Sequence, residues 1–153
     1  MVNDTIIELR KLSQRYAYSS IQMHETIARM AGFSGTDHKY LGFFLQKGNL
    51  TAGELADLTG LTTGSVTGLI DRFEKKNLVK RQFDVSDRRK VFIVPNPKKI
   101  MALFEPFYKD FQEKTEKLIA AFSKNEIEII ESYLVKALEL TNETNKKFTT
   151  KAK

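Results

Sequence analysis

Residues 51–94 read TAGELADLTGLTTGSVTGLIDRFEKKNLVKRQFDVSDRRKVFIV, and this stretch decides the fold. Thr51 stands three residues before Glu54, the spacing of a capping box, in which two side chains satisfy orphan backbone N–H groups at a helix start. The helix carries Leu55, Ala56 and Leu58 and stops at Gly60, which tolerates the left-handed conformation. Thr62 or Thr63 caps a second helix running through Val66, Leu69, Ile70 and Phe73 to Lys76, and Asn77 ends it. Ala56, Gly60 and Val66 supply a small residue where two helices approach, a glycine where the chain reverses, and an apolar wedge. That is a helix-turn-helix, whose second helix enters the major groove of DNA. An ordinary αα-hairpin would satisfy the same three positions.

The continuation favours DNA. Leu78 to Phe83 and Val91 to Val94 are short β-rich runs. Between them lies Asp84-Val85-Ser86-Asp87-Arg88-Arg89-Lys90, the basic tip of a hairpin that reads as a wing. From Asp71 to Lys90 eight basic residues stand against four acidic ones, a local excess that makes up most of the chain's net charge of +6. A charge run is usually a solvated face. Here it coincides with the helix pair, which favours phosphate contact.

Three segments carry a resemblance: the run from Leu55 to Thr67, the run from Leu69 to Arg81, and Asp84-Val-Ser-Asp-Arg-Arg89. Together they resemble the MarR family of bacterial transcriptional regulators, and the acidic-basic wing is the most family-specific piece. The resemblance implies a mainly α fold with a small β-hairpin wing, a winged helix-turn-helix flanked by long dimerisation helices. It implies one domain over residues 1–153. A DNA-binding lobe would span residues 36–96, and a helical dimerisation region residues 1–31 and 98–149. It also implies a homodimeric repressor whose DNA affinity responds to a small ligand or to oxidation.

Length and composition agree with this reading. A chain of 153 residues can form one domain with a sizeable core, and 41% apolar with 29% charged residues is ordinary for a soluble globule. No apolar run approaches the ~18–20 residues of a membrane span, and the start shows no signal-peptide pattern. The expected location is the cytoplasm, with nucleoid association when bound to DNA. With no cysteine, the chain has no disulfide, thiolate zinc ligand or thiol-based oxidant sensor. Methionine oxidation stays open.

Outward from the centre, Asp4 to Ala31 reads as one long helix. Its stripe of Leu9, Leu12, Tyr16, Met23, Ile27 and Met30 is interrupted by Ser19-Ser20. Thr36-Asp37 starts a second helix through Tyr40, Leu41, Phe43, Phe44 and Leu45, ended by Gly48. Pro95-Asn96-Pro97 ends the second strand. Lys98 to Phe122 forms a long helix with Ile100, Phe104, Phe107, Phe111, Leu118 and Phe122 on one face. Pro106 predicts a kink or a restart in it. Ser123 and Glu126 form a second capping box. They open a last helix with Ile127, Ile130, Leu134, Leu138 and Thr141, and the basic tail from Lys146 to Lys153 is expected to fray. The long terminal helices predict a homodimer, although the sequence alone also permits a monomeric bundle.

The expected DNA contacts are Thr62, Thr63, Gly64, Ser65, Thr67, Gly68 and Arg72 on the second helix, with Arg88, Arg89 and Lys90 on the wing. Threonine hydroxyls and methyls suit phosphates, base edges and thymine methyls. Gly64 and Gly68 each weaken the helix by about 1 kcal/mol relative to alanine. They serve close backbone approach to DNA, or else are simply tolerated or give room for packing. Many family members carry arginine where this chain has Gly68, so side-chain reading of bases is expected to be light, with shape and phosphate contacts doing more. Asp84 and Asp87 are expected to shape the wing by pairing with its arginines.

No catalytic constellation, phosphate loop or nucleophile motif is present. His24 and His38 have no histidine partner at helical spacing, so no metal site and no cofactor are expected. Tyr16, Phe44 and Phe104 are the candidates for a pocket holding a small aromatic effector, as the family implies. The expected partners are double-stranded DNA and a second copy of the chain, with no membrane. The competing reading is a winged-helix architectural or protein-interaction module that binds nucleic acid without sequence preference.

Overall fold

A computed structural model describes residues 2–151. Six helices and three strands follow in the order α1 (Val2–Met30), α2 (Gly35–Lys47), β1 (Leu50–Thr51), α3 (Ala52–Thr59), α4 (Thr63–Lys75), β2 (Val79–Phe83), β3 (Val91–Pro95), α5 (Pro97–Ala120) and α6 (Lys124–Lys151). The fold is mainly helical with a small antiparallel sheet, as the sequence predicts. No helix among the described residues is long and apolar enough to cross a membrane.

The helix boundaries follow from local chemistry. Thr51 Oγ1 accepts the Glu54 N–H at 3.1 Å, Thr62 Oγ1 that of Ser65 at 3.2 Å, and Asn96 Oδ1 that of Lys99 at 3.1 Å. Pro97 is the first residue of α5, where its missing N–H is an orphan in any case. Gly60 closes α3 at φ 71° and Asn77 reverses the chain at φ 56°, the two left-handed positions expected of them. Ser123 and Glu126 form a reciprocal capping box, the Ser123 N–H reaching Glu126 Oε2 at 2.7 Å and the Glu126 N–H reaching Ser123 Oγ at 3.3 Å.

Several expectations are corrected. The second helix begins at Gly35 rather than Thr36, because Ser34 Oγ accepts the Asp37 N–H and so takes the cap position. The approach at this start is close: a Cβ on Gly35 would lie 2.6 Å from Glu25 Cγ of α1. A third strand, β1, was not expected. It is only Leu50 and Thr51, paired with Ile93 and Phe92, too short to show an alternating pattern. Pro95 closes β3 opposite Val79 rather than lying beyond it. α5 runs through Pro106 without a restart. α6 continues to Lys151 instead of fraying at Lys146, and Thr149 and Thr150 each donate to a carbonyl four residues back. The rest of the expected tail, Ala152 and Lys153, lies outside the described residues.

The described residues divide into two compact units, one up to Phe107 and one from Tyr108. In the first, Leu41 and Phe44 of α2, Leu55 of α3, Val66, Leu69 and Phe73 of α4, Ile93 of β3 and Ile100 of α5 are almost inaccessible. Each contributes about 1.5–3 kcal/mol of apolar burial to the platform beneath α4. The second unit holds the end of α5 and all of α6, which has no buried residue at all.

Candidate nucleic-acid interface

The sheet order is β1-β3-β2, so β2 and β3 extend as a hairpin from the strand beside α3, directly after α4. In α4, Val66, Leu69, Ile70 and Phe73 face the core. Thr62, Thr63, Gly64, Ser65, Thr67 and Arg72 are exposed, and Gly68 is half-buried. Two of the four hydroxyl protons on this face are used within the helix. Thr62 donates to Ser65 Oγ at 3.0 Å and Thr67 to the Thr63 carbonyl at 3.1 Å. Thr62 and Thr67 offer outward their methyl groups and oxygen lone pairs.

Nothing in the fold requires glycine at position 64 or 68. A Cβ on Gly64 would meet no atom within 4 Å, and one on Gly68 would meet only the flexible end of Arg72, at 3.8 Å. Room for internal packing therefore loses its support, while close approach to DNA and simple tolerance both fit this open space.

Arg72 is not a free cation. Its guanidinium reaches Asp37 of α2 through Nη2–Oδ1 at 3.1 Å and Nε–Oδ2 at 3.4 Å. Asp37 is a buried charged residue, 7% exposed, while the Arg72 side chain stays 57% exposed. This acceptor lies 35 residues away in sequence, and no spacing rule reveals it. Beside the pair, Arg72, Lys75 and Lys76 line a cavity of about 390 Å³ with Gly32, Phe33 and Ser34. Lys76 donates to the Gly32 carbonyl at 3.3 Å and lies 4.0 Å above the Phe33 ring. Arg81 of β2 is likewise captured by α4, through Asp71 at 2.6 Å and Glu74 at 2.9 Å. The Asp71 hydrogen bond is the main reason its guanidinium is held more basic than usual.

At the wing tip the aspartates do something other than expected. Asp84 Oδ1 accepts the Ser86 N–H at 2.9 Å and its hydroxyl at 2.8 Å, and Asp87 Oδ1 accepts the Arg89 N–H at 3.0 Å. They shape the loop through backbone amides, as Asx turns do, and not through the guanidinium groups. The Ser86 amide is the main reason the Asp84 carboxyl is held below the usual range. Arg88 and Arg89 make no ion pair among the described residues and, with Lys90, are exposed. Lys90 lies 5.2 Å over the Phe92 ring.

The three residues expected around an effector are not gathered together. Tyr16 is 70% exposed on α1, Phe44 is a core residue at 1%, and Phe104 packs edge-on against His38 at 4.6 Å. A different cavity, of about 610 Å³, lies between α1 and α2, lined by Ile21, His24, Glu25, Thr36, His38, Lys39 and Phe43 among others. His24 and His38, from the two helices, stack there with centroids 5.5 Å apart. Burial, and then His24, push the His38 pKa below its ordinary value. Their fourteen-residue separation hides this pairing from any helical-spacing rule. The described residues contain no cluster of three or more metal-ligating side chains.

Comparison with known proteins places this geometry. The MarR family profile matches residues 31–90, from the end of α1 to the wing tip. The HTH-type transcriptional regulator YcgE of Bacillus subtilis is 39% identical over 143 residues, covering 91% of this chain and 88% of the relative. Among solved structures, a MarR family protein from Bacillus stearothermophilus superposes with a TM-score of 0.70 at 28% identity, covering 93% of this chain and 99% of that one. The MepR–DNA complex of Staphylococcus aureus shares the fold, with a TM-score of 0.58 at 24% identity over 86% of this chain and 98% of that one.

Proposed function

The chain belongs to the MarR family of DNA-binding transcriptional regulators, and from that premise we propose that it is a ligand-responsive repressor acting as a homodimer on a pseudo-palindromic operator. The observation that carries the reading is that the outer side of α4 and the arginines of the wing tip, in the hairpin that directly follows α4, are both exposed. α4 enters the major groove, with Thr62, Thr63, Ser65 and Thr67 toward bases and phosphates. Gly64 and Gly68 leave the helix backbone free to approach the duplex. Arg88, Arg89 and Lys90 reach the adjacent minor groove or its phosphates, where negative potential is strong. Arg72, anchored by Asp37, keeps a partly exposed guanidinium for a phosphate. MepR, a protein of the same fold, has been solved in complex with DNA, which supports DNA as the partner.

Support for the homodimer comes from apolar side chains left in solvent. Phe111, Leu118 and Phe122 are 43%, 64% and 42% exposed, and on α6 Leu134 and Leu138 are 50% and 63% exposed. α1 shows Leu9, Leu12 and Tyr16 at 51%, 57% and 70%. Large exposed apolar stripes mark interfaces, and a second copy is the commonest occupant. Two recognition helices about 34 Å apart would then meet successive major grooves. The cavity beside His24 and His38 is the best place for a small effector, in preference to Tyr16, Phe44 and Phe104. The protein works in the cytoplasm, associated with the nucleoid when bound to DNA.

Competition binding with fragments of the source genome tests the reading. The regulator prefers one class of fragment by at least ~10³ over bulk DNA, with steep salt dependence. Equal affinity for all fragments would instead make it an architectural module.

A further inference from the structure

Arg81 lies at the root of the wing, in the strand that pairs on one side only, with β3. Its guanidinium forks between two carboxylates of α4: Nη2 donates to Asp71 Oδ1 at 2.6 Å and Nη1 to Glu74 Oε1 at 2.9 Å. Its backbone N–H donates to the second oxygen of Glu74, also at 2.9 Å. We propose that Arg81, Asp71 and Glu74 form a positioning clamp that fixes the wing's angle to the recognition helix, and thereby sets how much Arg88 and Arg89 contribute to DNA binding. The proposal rests on the reading that α4 and the wing tip hold the same duplex.

Three physical points support it. Leu50 and Thr51 brace β3 only at Ile93 and Phe92, so beyond Arg81 and Gln82 the sheet narrows to two strands. Such a ribbon twists more readily than a wider sheet, and each strand residue adds roughly 3.3 Å of lever arm. A small rotation at Arg81 therefore becomes a displacement of ångströms at Arg88. Arginine's planar fork fixes direction as well as distance, which an ammonium on a flexible stem does not. The charge balance is also unfavourable for a merely attractive surface. Two acids against one base near the duplex reduce its pull, so their value is geometric. The side chains are 33%, 61% and 40% exposed for Arg81, Asp71 and Glu74, so the cluster adds little to global stability and can be opened without unfolding the chain.

The test opens the clamp in two ways that change charge in opposite directions. R81M removes one positive charge, whereas D71N with E74Q removes two negative ones. In each background, affinity for the preferred site is measured with and without R88A/R89A, and helical content is checked by circular dichroism. In the unaltered chain the wing substitutions reduce affinity roughly 10- to 100-fold. With the clamp open by either route, the same substitutions reduce it by less than about 3-fold, and R81K falls between. Equal losses in all backgrounds, with R81M merely weakening and D71N/E74Q merely tightening overall binding, leave the wing contact standing and overturn the clamp. An unchanged affinity of R88A/R89A in the unaltered chain removes the wing contact itself and the proposal with it. R81K carries the same cycle if R81M unfolds.

Discussion

At the C-terminal half of α4 and the base of the wing, the arginines are held by carboxylates: Arg72 by Asp37, and Arg81 by Asp71 and Glu74. At the wing tip the neighbouring acids, Asp84 and Asp87, are occupied by backbone N–H groups, and Arg88 and Arg89 are left in solvent. The two regions have similar composition and opposite electrostatics. At the base, positive charge is paired with carboxylates. At the tip it remains available to a polyanion. A count of eight basic against four acidic residues over this stretch averages the two regions and conceals the difference.

The largest effect is expected at the wing tip. R88A/R89A reduces DNA affinity roughly 10- to 100-fold and flattens the slope of log affinity against log salt by about 1–2. Thermal stability changes by no more than about 0.5 kcal/mol, as expected for surface residues. Anisotropy titrations at several salt concentrations, with melting curves, read both. At the base the balance reverses. Asp37→Ala removes a buried carboxylate and lowers stability by about 1–2 kcal/mol, a charged hydrogen-bond value discounted because Arg72 is 57% exposed. Denaturant unfolding measures it.

Smaller effects sharpen the contrast. Thr62→Ala uncaps α4 and lowers stability by about 1 kcal/mol in the same assay. The last concerns pH. Burial and His24 hold His38 below its ordinary value of 6.5, so the fold favours the neutral ring. The stability this contributes is complete above pH 6.5 and is withdrawn as pH falls through 6.5 toward the lower value in the fold. Unfolding midpoints at pH 7.5 and 5.5 should therefore differ more for the unaltered chain than for His38→Gln.

Much of this fold is legible in sequence because its signals are local. Thr51, Gly60, Thr62, Asn77 and Ser123 mark helix ends by chemistry that acts within four residues. Two short β-rich runs, Leu78 to Phe83 and Val91 to Val94, on either side of a polar loop are enough for a hairpin. What sequence does not disclose is contact over distance. Asp37 and Arg72 meet across 35 residues, and His24 stacks on His38 from another helix. Leu50-Thr51 is a strand only because Ile93 and Phe92 lie beside it. An effector pocket assigned by aromatic content pointed to Tyr16, Phe44 and Phe104, because composition does not distinguish a core ring from a cavity wall. For the wing, sequence located the loop and misjudged the partners of its aspartates, since an Asx turn and an Asp–Arg pair need the same residues.

In the proposed function, α4 and the wing tip read one duplex and are presented twice. Footprinting of the purified protein on its preferred genomic fragment tests it most directly. Two protected segments are expected, centred about 10 base pairs apart and related by pseudo-two-fold symmetry, with protection lost together when Arg88 and Arg89 are removed. A single protected segment, or uniform protection along the fragment, would contradict it.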